Sequence, residues 1–172
     1  LGAVKRAGTA TGEIVAHLGL HDVQTLAFSR SRQGTELTAK TVEREASDRS
    51  ASGGSGAGSS GYVSTAPYHA GHGPDTRRRT EERLQSGDLD SVVSTSALEL
   101  GIDVGSVDAT VLSGYPGSRQ SFWQRLGRSG RGTDDALSVL VGRADAIDQY
   151  VLDHPQFLFE ESMENAGGAS SS

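Results

Sequence analysis

Cysteine is absent from the 172 residues. Neither a disulfide scaffold nor a cysteine-ligated metal centre can be built from this chain. Lysine is nearly absent too: Lys5 and Lys40 stand alone, and every other basic residue is arginine. No apolar run approaches the roughly 20 residues that cross a bilayer, and no charged-then-apolar leader opens the chain. The expectation is no membrane contact and a cytoplasmic location. The net charge is -6, from 22 acidic against 16 basic residues. That balance argues against a generic basic coat for nucleic acid, though it leaves room for a local arginine cluster. Leu1 opens the chain and Gly-Gly-Ala-Ser-Ser-Ser closes it, which reads as a piece of a longer protein. The length suits one domain with its own core.

Five β-like runs alternate with helix-like stretches: residues 24–28, 62–68, 90–95, 109–113 and 136–141. The last is almost continuously apolar, the pattern of a strand buried on both faces. Between the first two runs lies a helical stretch over residues 33–46, with a thin apolar stripe at Leu37 and Val42. Gly73-Pro74-Asp75 opens a charged helix, because Pro suits a first helical turn and Asp its positive end. Gly87 closes that helix as a C-cap. A further helix begins near Ser118 and carries Phe122, Trp123 and Leu126, with Trp123 read as core. A last one covers residues 145–152 and stops at Pro155. Strand–helix alternation predicts an α/β fold with a mostly parallel sheet and helices on both faces. Ligands sit at the carboxyl ends of such strands, so the loops after Phe28, Thr95 and Ser113, and the helix end at Gly127, are expected on one edge.

Residues 47–61 break the pattern. Glycine and serine dominate them, and they read as a flexible insertion. Residues 56–61 formally match G-x-G-x-x-G, but a dinucleotide turn needs a strand before it and a helix after it. Neither is present, so a linker is expected. The tail over residues 161–172 reads as disordered or as the truncated start of a following region.

His69-Ala70-Gly71-His72 places two imidazoles at i and i+3. A metal needs more ligands, and nothing nearby in sequence supplies an obvious third, so a structural turn and no metal are expected. Arg77-Arg78-Arg79 reads equally as a nucleic-acid contact or as a helix face salt-bridged to Glu81 and Glu82. Residues 94–103 are more specific: a strand end, hydroxyls at Ser94, Thr95 and Ser96, a helical turn, Gly101 and then Asp103. Hydroxyls and backbone N–H groups there can take phosphate oxygens, and the carboxylate can accept from a ribose. The most informative segment is Gln124-Arg125-Leu126-Gly127-Arg128-Ser129-Gly130-Arg131. Guanidinium forks fit phosphate oxygens, glycines permit close approach, and the segment reads as a clasp for a polyphosphate.

Three segments in this order resemble the second (C-terminal) RecA-like domain of superfamily 2 DEAD/DEAH-type helicases. Phe28-Ser29-Arg30-Ser31-Arg32 looks like motif IV, residues 95–103 like motif V, and Gln124 to Arg131 like motif VI, Q-x-x-G-R-x-G-R. Tyr68-His69-Ala70-Gly71 ahead of an Arg/Glu-rich helix also matches. Gly114-Tyr115-Pro116-Gly117-Ser118, Phe122-Trp123-Gln124, Asp148-Gln149-Tyr150 and His154-Pro155 look like the mitomycin-repair DNA helicases. That group carries a C-terminal zinc-binding domain.

The resemblance implies one motor domain over residues 1–160 and an ATP site shared with the first RecA-like domain of the same polypeptide. No G-K-[ST] loop or acidic metal box occurs here, so that other domain would hold Mg²⁺ and most of the ATP. The isolated chain is expected to be without turnover. The resemblance further assigns Arg128 and Arg131 to the γ-phosphate, with Arg131 the arginine finger. Gln124 would sense that phosphate or position water, Asp103 would meet the ribose, and Gly101 would allow close approach. Ser29, Arg30 and Thr95 would face a nucleic-acid backbone, DNA in preference to RNA. An RNA helicase domain, or a non-catalytic nucleic-acid or partner-binding module retaining the fold, are the alternatives.

Overall fold

Every residue of β1 (Thr25–Phe28), β3 (Ser91–Ser94) and β4 (Ala109–Ser113) is buried, the mark of strands covered on both faces. A computed structural model describes residues 6–53, 61–96, 107–130 and 135–160. β2 (Thr65–Tyr68) and β5 (Leu137–Val141) complete a five-stranded sheet in the order β2-β3-β1-β4-β5. Every pairing in it is parallel, with Thr25 of β1 level with Ser91 and Ala109 of its neighbours.

Five α-helices lie among the described residues: α1 (Ala7–Leu20), α2 (Arg32–Ala51), α3 (Pro74–Ser86), α4 (Arg119–Leu126) and α5 (Ala146–Asp153). A 3-10 turn, Pro155–Phe159, follows α5. Successive strand side chains point to opposite faces, which splits the core in two. Leu26, Phe28, Val92 and Leu112 pack with Leu84 of α3, Phe122 of α4 and Val151 of α5. Ala27, Val93 and Val111 pack with Val15 and Ala16 of α1 and Ala39, Val42 and Ala46 of α2. The parallel sheet with helices on both faces is therefore as the alternation predicts. Pro74 in the first turn of α3 and Gly87 at φ 84° just after it are also where expected.

Four expectations need correction. The strand–helix pattern starts at residue 24, yet a 14-residue helix, α1, precedes it. Its glycines at positions 8, 12 and 19 each disfavour a helix by about 1 kcal/mol relative to Ala, and Arg6 gives no side-chain cap, so only packing on α2 and the sheet explains it. Second, α2 runs to Ala51, so residues 47–51 belong to a helix and not to the glycine/serine insertion. Ser50 Oγ lies 2.7 Å from Ala46 O and 2.9 Å from Gly61 O, its one proton free to go to either, bringing the chain back against the helix end. Residues 54–60, with most of the G-x-G-x-x-G match, lie outside the described residues, as do residues 161–172.

Third, Leu37 is not part of the buried stripe of α2; it is 56% exposed. The stripe is Thr35, Thr38, Ala39, Val42 and Ala46, small residues at helical spacing that allow a close neighbour. Fourth, β5 is an edge strand, paired only with β4 among the described strands, and Leu137 is 46% exposed. An apolar run does not distinguish a central strand from an edge one.

The closeness of α1 and α2 is measurable at Gly12. A Cβ there would stand 2.5 Å from Thr41 Cγ2 and 2.8 Å from Thr41 Cβ. Helix propensity alone would make Gly12→Leu stabilising. Steric contact with α2 reverses that sign, and a loss of about 1–3 kcal/mol is expected. Urea unfolding checks it: a variant as stable as the wild type would mean that the helices can part at no cost.

Candidate functional site

Because all strands run parallel, Phe28, Tyr68, Ser94, Ser113 and Val141 end on one edge of the sheet. Hydrogen bonds stitch the loops that leave them. Ser29 N donates to Ser94 O at 2.8 Å, Thr95 N to Tyr68 O at 3.3 Å, and Gly114 N to Val141 O at 2.8 Å. Ser29, Arg30 and Thr95 are thus brought together at this edge, as expected. Ser29 is nearly buried. Thr95 is half-buried.

Arg30 is more deeply engaged than its sequence position suggests. Its Nη2 donates to Tyr115 O at 2.7 Å and to Asp148 Oδ1 at 3.1 Å, and its Nη1 to Asp145 Oδ2 at 3.4 Å. Asp148 is the hub of this arrangement and is 1% exposed. It also accepts from Tyr115 N at 3.2 Å and Arg143 N at 2.8 Å. A buried carboxylate must be paired and hydrogen-bonded, and here it ties together the loops after β1, β4 and β5. Asp145 caps α5 by accepting from Asp148 N at 2.9 Å. That amide, with the charges of Arg30 and Arg143, holds the Asp145 carboxyl below the usual carboxylate range. Residue spacing gives no sign of Asp148's role, because its partners lie more than thirty positions away except for Arg143 and Asp145.

The arginine–glycine segment is not on this edge. α4 begins at Ser118, whose Oγ accepts from Ser121 N, and it runs back across the sheet. Val107 N donates to Arg128 O at 3.0 Å, and Gly130 N to Val107 O at 2.9 Å. Val107 stands just ahead of β4, so Arg128–Gly130 is pinned at the starting ends of the strands. The expected convergence of all four loops on one edge is corrected: the hydroxyl and arginine loops lie on one edge, and the helix end lies on the other. The helix spans the sheet's width, which places its two ends on opposite sides.

Gln124 is exposed and Arg128 half-buried at that second edge. Arg125 between them is buried, with its guanidinium 5.0 Å from the centre of the Phe28 ring. Thr95 and Ser96, the described part of the motif V segment, follow the carboxyl end of β3, and Val107 stands at the opposite edge. Gly101, Asp103 and Arg131 lie outside the described residues.

Trp123 is not core. It is 42% exposed, and its indole N–H donates to Leu158 O at 2.8 Å, with Phe122 and Phe159 packed edge-on. The triple arginine of α3 makes no ion pair with Glu81 or Glu82 among the described residues; Glu81 instead accepts from the Tyr68 hydroxyl. Burial, with Glu81 adding, pushes that phenol well above its ordinary range.

The histidine turn gains a third member from a distant helix. Glu36 Oε1 lies 3.0 Å from His69 Nε2 and 3.2 Å from His72 Nε2. The hydrogen bond from His69 is the main cause holding the Glu36 carboxyl below its ordinary range. Nothing in the spacing of residues 36, 69 and 72 announces this; the fold brings β2 and α2 together.

Residues 12–133 match the helicase conserved C-terminal domain family. The chain is 36% identical over 164 residues to the uncharacterized ATP-dependent helicase YprA of Bacillus subtilis, covering 95% of this chain and 21% of that protein. It is 34% identical over 150 residues to the ATP-dependent helicase HRQ1 of Saccharomyces cerevisiae, covering 87% of this chain and 13% of that one. The fold matches the crystal structure of the DUF1998 helicase MrfA bound to DNA and AMPPNP with a TM-score of 0.81. That match is at 34% identity and covers 93% of this chain and 21% of MrfA. The chain thus spans about a fifth or less of each relative.

Proposed function

The chain belongs to the helicase conserved C-terminal domain family, and on that premise we propose that it is the second RecA-like motor domain of an ATP-dependent DNA helicase. Residues 1–160 form that domain. The observation that carries the reading is the division of labour between two sheet edges. Ser29 and Thr95 offer small polar groups at the carboxyl ends of β1 and β3, where a sugar-phosphate strand can lie across the loops. Arg30 adds those guanidinium N–H groups that Asp145, Asp148 and Tyr115 leave over. Such contacts carry little sequence information, which suits a motor that must track any strand.

At the other edge, Gln124 and Arg128 face the nucleotide. Two backbone hydrogen bonds to Val107 hold residues 128–130 in place, so the guanidinium is presented without first ordering a loop. Arg128 and Arg131 would hold the γ-phosphate, Arg131 as finger, with Asp103 on the ribose and Gly101 allowing close approach. Gly101 and Asp103 follow Thr95 within one segment of sequence, so a change in nucleotide would be felt at Thr95 through that short covalent link. Closing and opening against the first RecA-like domain would convert that link into movement along the strand.

Mg²⁺ does not fit the nucleotide edge of this chain. Described carboxylates there include Asp90 and Asp108, and both are engaged by the backbone: Asp90 Oδ2 accepts from Ser64 N at 2.8 Å and Asp108 Oδ2 from Gln24 N at 3.1 Å. No carboxylate cluster forms around them among the described residues. The ion falls to the first RecA-like domain. DNA is favoured over RNA because MrfA, at 34% identity, was crystallised with DNA.

Strand separation by the full-length protein tests the proposal, on DNA and RNA duplexes with and without ATP. ATP-dependent unwinding of DNA is expected. Unwinding confined to RNA would move the substrate, and strand binding without ATP turnover would reduce the domain to a binding module.

A further inference from the structure

We propose that Glu36, His69 and His72 form a binding site for a divalent transition metal, with Zn²⁺ the ion that best suits the donors. The site is independent of the nucleotide edge and of the helicase reading. Its donors come from two separate parts of the chain: Glu36 from the second turn of α2, and the two imidazoles from the turn between β2 and α3. All three donor atoms lie within 4.8 Å of one another. Two imidazole nitrogens and a carboxylate oxygen are a known zinc set, which leaves the fourth position to water or a ligand.

The two separations from the carboxylate are close to what such an ion needs, while the imidazoles are stacked at 3.9 Å and 27°, so one ring must turn to aim its Nε2 at a shared ion. In a tetrahedron with metal–ligand bonds of about 2.0–2.1 Å, ligand atoms stand about 3.3 Å apart. Glu36 Oε1 is 3.0 Å from one Nε2 and 3.2 Å from the other. The imidazoles are mostly enclosed, with side chains 11% and 22% exposed, while Glu36 is 44% exposed. An ion can therefore enter from the carboxylate side and keep a solvent position. A single imidazole would suffice to satisfy Glu36 by hydrogen bonding, yet two converge on its Oε1.

The metal-free arrangement resists the ion in one respect. Gly71 N donates to His69 Nδ1 at 3.0 Å, which places the His69 proton on Nε2, toward Glu36. Coordination through Nε2 moves that proton to Nδ1 and breaks the Gly71 bond. Metal binding thus remakes one turn, and it weakens as the pH falls because protons compete for the same lone pairs. With the ion in place, the β2–α3 turn is fastened to α2 next to Thr95, whose N–H already bonds Tyr68 O.

Metal titration of the full-length protein tests the site, with the wild type compared against Glu36→Gln and His72→Gln. Co²⁺ serves as the optical probe and Zn²⁺ as competitor. The expected result is a wild-type equivalent of Co²⁺ with tetrahedral visible bands and no sulfur charge-transfer band, displaced by Zn²⁺ and missing in both variants. Because this chain has no cysteine, sulfur-free bands distinguish this site from any thiolate site elsewhere in the polypeptide. X-ray absorption of the Zn²⁺ form should show imidazole scattering that disappears in His72→Gln. If a variant fails to fold, the wild-type spectra decide alone. Absence of the sulfur-free equivalent in the wild type, or its persistence in a folded variant, would overturn the proposal and leave a hydrogen-bonded triad.

Discussion

Arg131→Ala in the full-length protein is expected to lower ATP turnover by about 10³–10⁵-fold, the usual worth of an arginine finger. Strand binding in the absence of nucleotide should stay near the wild-type level. The reason lies in the placement of the neighbouring residues. Arg128 and Gly130 are hydrogen-bonded to Val107 at the starting ends of the strands, while Ser29 and Thr95 stand at the other ends. Arg131 follows Gly130 in sequence, so on the proposed reading its loss would remove transition-state charge stabilisation and leave Ser29 and Thr95 in place. Steady-state ATPase and a strand-binding titration check this together. Wild-type turnover would remove Arg131 from the finger role. Loss of strand binding in parallel with turnover would contradict the separation of the two edges.

Asp148→Ala is expected to destabilise the protein by about 3 kcal/mol, at the lower end of the range for breaking a buried pair. Removal of the carboxylate leaves Tyr115 N and Arg143 N without their acceptor, at about 1–3 kcal/mol for a buried unsatisfied group. The charge of Arg30 adds less than a fully buried cation would, because its side chain is 39% exposed and keeps Asp145 and water. Asp148→Asn retains one carbonyl oxygen and should lose less. Urea unfolding of the two variants measures the order. Equal stability of Asp148→Ala and the wild type would mean that the three loops are held by other contacts. A further consequence reaches function: without Asp148, Arg30 keeps Tyr115 O and Asp145 but loses its buried partner, so the loop after β1 is held less firmly and, on the proposed reading, strand affinity is expected to fall along with stability.

Much of the architecture was legible before any coordinates. The runs at 90–95 and 109–113 mark strands, and β3 and β4 lie there, although the apolar pattern places burial on both faces at 136–141 instead. Gly73-Pro74 and Gly87 delimit α3 through local backbone chemistry that needs no tertiary partner. Ser118 and Asp145 begin α4 and α5 for the same reason, by accepting from their own first turns. Other features were not legible. Helix α1 carries glycines that local propensity counts against it; they are there because α2 and Val63 approach too closely for side chains at Gly12 and Gly19. The edge position of β5 depends on strand order, which hydrophobicity does not encode.

The candidate site divides along the same line. The residue types of the three helicase segments, and the chemistry of phosphate and strand contact that they offer, were determined by the sequence alone. The family match bears out the resemblance to a helicase C-terminal domain. Which edge each segment occupies was decided only by the tertiary structure. The turn of α4 across the sheet carries Arg128 away from Thr95, although both had been expected on one edge. The two groupings with no sequence signature, Asp148 with Arg30 and Glu36 with the histidine turn, are likewise tertiary. Each joins charged or polar groups from segments far apart in the chain. Such partners are set by how strands order and helices pack, and short-range patterns report only what lies within a few residues.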